Sequence, residues 1–369
     1  MINKTNNKYN YIDYTLVFVI IILSLFGLLM VYSASNVVAN SDFGDKFYYV
    51  KRQGLFLIIS YICLYYIIKI DISKIKKYSV YIFLCCLILL ILVLIPGVGV
   101  VRGGARSWIS IFGFSIQPSE FMKVGLICLY SKVLCDNYKD LKKPKFFIEL
   151  IGLVFIVFII IMLQPDFGTG LVILLTILFL LFISGAKIKF YGYIIIFSIV
   201  GLILLIISAP YRLERITAFL NPWSDPLGSG FQGIQALFAI TPGGLLGHGF
   251  NQSIQKHFFL PEPQNDFIFA ILLEEFGLLG GAIVLGLYAV IIYRGIRISI
   301  VCSDKYLKFL CLGITISLSV QIIINTGVVV GLLPVTGITL PLFSYGGSSL
   351  LITMVSLGII VSSSKYTNY

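Results

Sequence analysis

Apolar runs separated by short polar interruptions recur along the whole chain, at residues 14–34, 54–70, 80–97, 117–134, 147–163, 170–185, 190–208, 267–292, 309–328 and 346–362. Most approach the ~20 residues that cross a hydrocarbon core of ~30 Å; the fourth and last are weakest in hydropathy. Lipid offers no partner for backbone N–H and C=O groups, so each run is expected to be a helix rather than a strand. The pattern predicts an all-α polytopic membrane protein of about ten transmembrane helices, forming a single domain over 1–369. Most connections are short. The exception is 209–266, between the seventh and eighth helices, which carries Trp223, Phe231, Phe238, Phe250, Phe258 and Phe259 among its prolines and glycines. It is expected to fold back on the bundle as short re-entrant or interfacial helices.

Composition agrees with that picture. Hydrophobic residues make up 59% of the chain and charged residues 12%, against ~45–50% and ~25% in soluble domains. A soluble globule, a disordered chain and a nucleic-acid module are excluded, and nucleic acid is not expected as a partner. The net charge of +11 is therefore read loop by loop. With a cytoplasmic N-terminus, the inner segments hold Lys69, Lys74, Lys76 and Lys77, then Lys139, Lys142, Lys143 and Lys145, and later Arg294, Arg297, Lys305 and Lys308. That bias places both termini in the cytoplasm. Lys46, Lys51, Arg52, Arg102, Arg106, Lys123, Arg212, Arg215 and Lys256 fall at or near the outer side, against the trend. The seven cysteines lie in or beside apolar runs without a C-x-x-C pair and read as small buried hydrophobes. Two histidines argue against a His-ligated metal.

Chemistry concentrates first at 258–277, FFLPEPQNDFIFAILLEEFG, where a polar turn enters an apolar helix. An ionisable group inside a membrane helix is a functional hypothesis by default. Asp266, at the helix mouth, is either such a group or a carboxylate favoured by the helix dipole, and Glu262 would share its face if the turn were helical. Glu274 and Glu275 lie deeper, and pairing with a basic residue of a neighbouring helix is the favoured reading over catalysis.

A second constellation is 101–123, VRGGARSWISIFGFSIQPSEFMK, which gathers Arg102, Arg106, Trp108, Glu120 and Lys123. Glu120 and Lys123, three apart, could form an internal ion pair, and Trp108 could be an interfacial belt residue. Gly103 and Gly104 beside the arginines would equally allow close approach to a phosphate. QPDFGTG at 164–170 contributes Asp166, and 211–232 contributes Arg212, Arg215, Asp225 and Gln232. The glycines of TPGGLLGHGF at 241–250 suggest a tight turn or close helix packing. PVTGITLPLFSYGGSS at 334–349 has the Pro and Gly density of a broken helix lining a cavity, or of an ordinary outer loop.

RSWI at 106–109, QPSEFMK at 117–123, QPDFGTG at 164–170, RITAFLNPWSDPLGSGFQ at 215–232, LPEPQNDFIFA at 260–270 and PVTGITLPLFSYGGSS at 334–349 together resemble the signature blocks of the SEDS family (shape, elongation, division and sporulation), which includes RodA, FtsW and SpoVE. The blocks run in family order across nearly the whole chain. MVYSAS at 30–35 and LVLIPGVGVVRGGARSW at 92–108 are closer to the FtsW/SpoVE branch.

The resemblance implies a bacterial cell-membrane glycosyltransferase that polymerises lipid II into peptidoglycan strands on the outer face, releasing undecaprenyl pyrophosphate. It implies a class B penicillin-binding protein as partner, along with other division, elongation or sporulation membrane proteins. By position Asp266 corresponds to the family's essential acid. Arg106, Trp108, Glu120 and Lys123 fall on motif positions, as do Arg215, Asp225 and Gln232 of the long loop. On that reading Asp266 takes the proton of the attacking hydroxyl. Arg106, Lys123, Arg212 and Arg215, or a divalent cation such as Mg or Mn, would stabilise the diphosphate. The rival readings are a lipid flippase or carrier, which would continue a charged path into the cytoplasmic half, and a non-catalytic cell-wall scaffold.

Overall fold

The computed structural model describes residues 12–102, 104–111, 114–207 and 219–367. A helix forms at each of the ten apolar stretches: α1 (Tyr14–Phe43), α2 (Tyr48–Lys69), α3 (Ser73–Leu92), α4 (Pro118–Asn137), α5 (Pro144–Met162), α6 (Phe167–Ile183), α7 (Ile188–Ile207), α9 (Ile268–Val301), α10 (Lys305–Val329) and α11 (Gly347–Ser363). A shorter helix, α8 (Phe231–Gly243), lies within the long connection, where short helices were expected, and packs on α9. By length and composition, seven of the described helices could cross a membrane. α6 is apolar but shorter, and α4 carries the buried charges Glu120 and Lys123.

The helices sort by what covers them. α10 and α11 are largely buried, whereas α2, α3 and α5 leave rows of Ile, Leu, Tyr and Phe exposed. Such exposure would be intolerable in water but is the expected outer surface in lipid. α2 packs on α11, α3 on α4, and α10 on α4, α6 and α9.

Asp13 and Thr367, near the two ends of the described chain, lie at one end of the bundle. Asp13 caps α1 through Leu16 N (3.0 Å) and binds Arg294 Nε at the far end of α9 (2.6 Å). Its own N–H donates to Ser364 Oγ (3.1 Å). Thr367 bridges Cys302, and the Tyr366 hydroxyl lies 3.2 Å from Asp71 just past α2.

The connection between α3 and α4 departs from the all-helical expectation. It holds a three-stranded antiparallel sheet, β1 (Gly99–Arg102), β2 (Ala105–Ile111) and β3 (Phe114–Ile116). The β-branched and aromatic residues of GVV and SWISI favour a pleated surface, and Gly104, at φ 81°, supplies the left-handed residue between β1 and β2. A short sheet is compatible with the membrane rule because it lies in a connection, outside the helical spans.

Candidate functional site

At the opposite end from the termini, two irregular segments converge on α10. Asn325, inside α10, donates from Nδ2 to the carbonyls of Asp266 (2.8 Å) and Ile338 (2.7 Å). Tyr345 N donates to the Gln264 carbonyl (2.8 Å). The 258–266 turn is thereby fastened to the Pro/Gly-rich 334–346 segment, which is held from the other side by Gln53 of α2 through Ser344 O (3.1 Å) and Gly346 N (3.2 Å). That segment is irregular rather than the broken helix its composition suggested, and is buried mainly at Leu340–Ser344.

Asp266 is partly buried at the entrance to α9. The helix starts after Phe267 with no side-chain capping hydrogen bond, so its carboxyl is not engaged as a helix cap. Desolvation, reinforced by the charge of Glu262, pushes this carboxyl up to about 7. A carboxylate at that value can take a proton near neutral pH. Glu262 is exposed, in a left-handed backbone conformation (φ 45°), and accepts from Asn265 Nδ2 (2.5 Å).

Below lies a polar chain. Glu120 and Lys123 are both buried and form the internal ion pair at 2.9 Å; Lys123 also donates to Gln321 Oε1 (3.0 Å). Gln321 Nε2 donates to Thr339 O (3.0 Å), and the Thr339 and Ser349 hydroxyls are 3.0 Å apart. Lys123, Ser317, Gln321, Thr353 and Ser356 line a small cavity. In this arrangement Lys123 is committed inside the bundle, so its expected role as a surface phosphate contact is not the one its geometry displays.

The remaining motif residues separate into distinct places. Asp166 caps α6 through Thr169 N (3.2 Å) and accepts from Gln117 Nε2 (2.9 Å) and Ser119 Oγ (3.0 Å), pinning the start of α4 to α6. Asp225 organises an exposed turn through Gly228 N, Ser229 N and Ser229 Oγ. Hydrogen bonds from Ser229 hold its carboxyl below the usual range. Gln232 is half-buried in the first turn of α8, and Arg106 and Trp108 are half-buried on β2. Arg212 and Arg215 lie outside the described residues.

Glu274 and Glu275 are fully buried, but not along a path through the bundle. α9 breaks at Gly277 (φ 63°, ψ −166°). A Cβ placed on Gly281 would lie 2.4 Å from Leu273 Cδ2 and 3.6 Å from the Phe269 ring, although a straight helix separates these positions by about 12 and 18 Å. Residues 268–276 therefore fold back on 278–301, which at about 36 Å is long enough to cross the membrane alone. Four of the groups freed at the break are taken by the glycine stretch. His248 and Gly249 N–H donate to the carbonyls of Glu274 (3.0 Å) and Glu275 (2.9 Å), while Leu278 and Leu279 N–H donate to those of Gly244 (2.9 Å) and Leu245 (3.1 Å). The basic partner comes from the loop and not from a neighbouring helix: Lys256 Nζ lies 3.3 Å from Glu275 Oε1 and 2.6 Å from Asn251 Oδ1. Glu274 accepts from Ser253 Oγ (2.5 Å) and Ile254 N (2.7 Å). Lys256, counted above among the outer basic residues, is buried here and is not a surface contact for an anion.

The family model FtsW/RodA/SpoVE, described as cell cycle protein, matches residues 14–369. The chain belongs to the FtsW/RodA/SpoVE family. It is similar to stage V sporulation protein E of Bacillus subtilis, 48% identical over 358 residues and covering 97% of this chain and 98% of that protein. It is also similar to the probable peptidoglycan glycosyltransferase FtsW of Geobacter metallireducens, 38% identical over 354 residues, with 95% and 94% covered. A solved chain from work described as structural coordination of polymerization and crosslinking by a peptidoglycan synthase complex superposes with TM-score 0.81 at 28% identity, with 97% of this chain and 99% of that one covered.

In this FtsW/RodA/SpoVE chain, sequence reading missed Gln53, Gln321 and Asn325, the side chains that hold the site's irregular segments together. Gln321 and Asn325 are spaced i, i+4 within the mainly apolar run 309–328, so they share one helix face. A polar pair at that spacing in a span was the available signal. Among the described residues no three His, Cys, Asp or Glu side chains converge as they would around a metal ion.

Proposed function

We propose that this chain is a peptidoglycan glycosyltransferase that polymerises lipid II into glycan strands, with the Asp266 end of the bundle outside the cell and both termini in the cytoplasm. The observation that carries the mechanism is the partly desolvated Asp266 carboxyl, raised to about 7 at the meeting point of the 258–266 and 334–346 segments. Membership of a family whose relatives are named for this activity supports the substrate class.

The 4-hydroxyl of an incoming GlcNAc attacks the anomeric carbon at the end of the growing strand. The new glycosidic C–O bond forms as the bond to the lipid diphosphate breaks, and Asp266 takes the hydroxyl proton. The departing diphosphate carries negative charge, which Arg106, Arg212 and the motif arginine Arg215 are suited to balance. Glu262 and Gln232 would bind substrate hydroxyl and amide groups. Lys123 acts from beneath, holding Gln321 and so the 339 segment. A class B penicillin-binding protein is the expected partner, in line with the polymerisation and crosslinking named for the solved complex.

A flippase would need charges leading towards the end that holds the termini. Glu274 and Glu275 instead turn back at Gly277 and join the loop cluster around Lys256, so transport loses its main support. A scaffold would tolerate loss of Asp266. The deciding experiment is polymerisation of labelled lipid II by purified full-length chain, with and without the transpeptidase, beside Asp266→Asn. Strand synthesis by the variant would remove Asp266 from the mechanism, and none by the wild type in either condition would remove the activity.

A further inference from the structure

The turn between α1 and α2 carries an aromatic ladder that the mechanism above does not use. Phe43 and Tyr48 stack with ring centroids 3.7 Å apart and planes 8° from parallel. Tyr48 meets Tyr49 edge-on at 5.3 Å, and Tyr49 meets Tyr345 edge-on at 5.0 Å. Tyr345 N is hydrogen-bonded to the Gln264 carbonyl, two residues before Asp266. The ladder thus runs continuously from an outermost ring, Phe43 at 48% exposure, to the loop that bears the proposed base.

Charged groups surround it. The Arg52 guanidinium lies 4.4 Å from the Tyr48 ring centroid. Asp42, next to Phe43 in the chain, and Glu262, on the turn that Tyr345 N holds through the Gln264 carbonyl, are both exposed. An interfacial aromatic belt needs rings but no carboxylates among them. A pyranose needs both: its C–H face settles on the electron-rich face of a ring, carboxylates accept from its hydroxyls, and a guanidinium holds an anionic substituent.

We propose that Phe43, Tyr48, Asp42, Arg52 and Glu262 form a saccharide subsite that holds sugar units of the glycan beside Asp266. This deepens the polymerase reading and rests on it for the identity of the sugar. Phe43 supplies the platform with its outer face, Tyr48 backs it from behind with Arg52 over its other face, Tyr49 and Tyr345 fix its position relative to the loop, and Arg52 faces the acidic lactyl or peptide group of a MurNAc unit.

The test uses the full chain in nanodiscs and a lipid-free GlcNAc–MurNAc tetrasaccharide, so that it does not depend on turnover. Saturation-transfer NMR is expected to show the sugar C–H protons near aromatic protons. Phe43→Leu and Tyr48→Leu are expected to weaken binding about fivefold each, within the range of one aromatic contact, and Tyr48→Trp to recover it. Tyr81→Ala, an exposed tyrosine of α3, serves as the control for general loss of surface aromatics. The same leucine variants are expected to release shorter strands from lipid II. Should either leucine variant unfold, Arg52→Gln carries the same measurement on an exposed side chain. A wild-type chain that polymerises lipid II but does not bind the tetrasaccharide, or binds it equally well in the leucine variants, overturns the subsite and leaves the polymerase reading standing. Tetrasaccharide binding that depends on Phe43, in a chain that never polymerises lipid II, sustains the subsite and overturns the polymerase reading.

Discussion

Asn325 reaches from the interior of α10 to the backbone carbonyl of Asp266, 2.8 Å away, and with its second amide hydrogen to Ile338 O at 2.7 Å. One side chain therefore sets the position of the proposed base relative to the 334–346 segment. Replacing it with Leu leaves two carbonyls without their donor, at about 1–3 kcal/mol for each buried group. Asn325→Leu is expected to lower Tm in detergent and to cut the lipid II polymerisation rate, whereas an unchanged Tm and rate would show that the loop is held elsewhere.

The raised carboxyl makes activity and stability move in opposite directions with pH. If Asp266 acts as base it must be ionised, so kcat/KM is expected to rise through pH about 7 and to level off above it. For stability the sign is reversed. Between about 3.8 and about 7 the folded chain keeps a proton that the unfolded carboxyl has already released, so this group's contribution falls as pH climbs through that window. Asp266→Asn removes that fall. The variant should lack polymerisation at every pH yet have a Tm at pH 8 no lower than wild type, and a Tm that drops instead would assign Asp266 a structural role.

Lys256 is buried against Glu275 at 3.3 Å, and removing one member of such a pair strands the other. Lys256→Met is expected to cost about 3–5 kcal/mol, with much of it recovered by adding Glu275→Gln. Thermal unfolding of the two single variants and the double variant measures this coupling. Strict additivity of the two single effects would show that the contact at 3.3 Å carries no energy.

How much of this was legible beforehand differs by level. The ten helices were readable because lipid makes apolar length and helix nearly synonymous, and the Glu120–Lys123 pair followed from spacing alone. The break at Gly277 was not readable: Gly277, Gly280 and Gly281 sit in an apolar run where glycine is common, and only the hydrogen bonds to Gly244 and Leu245 reveal a reversal. The same blindness misplaced Glu274 and Glu275, since a continuous run was taken to mean a continuous depth. The small sheet at 99–116 was hidden because its alternation is short and adjoins an apolar helix. Asp266 itself was found as a carboxylate at a helix mouth, but its burial depends on partners 59 and more residues away in the chain.

Gly277 offers the sharpest test of the folded-back helix. Its φ of 63° is poorly available to other residues, and a Cβ there would lie 2.5 Å from the Leu245 carbonyl carbon and 2.6 Å from Gly247 N. Both clashes are with backbone, so no side-chain rotation relieves them. Gly277→Ala is expected to straighten or unpack the junction, releasing the four hydrogen bonds to the glycine stretch and loosening the Lys256 cluster and the Asp266 loop together. Gly286→Ala, in the same helix with nothing within 4 Å of the added Cβ, should leave Tm nearly unchanged. Hydrogen exchange at Leu278 and Leu279 should accelerate in the first variant and not in the second; equal protection in both would mean that α9 passes straight through residue 277.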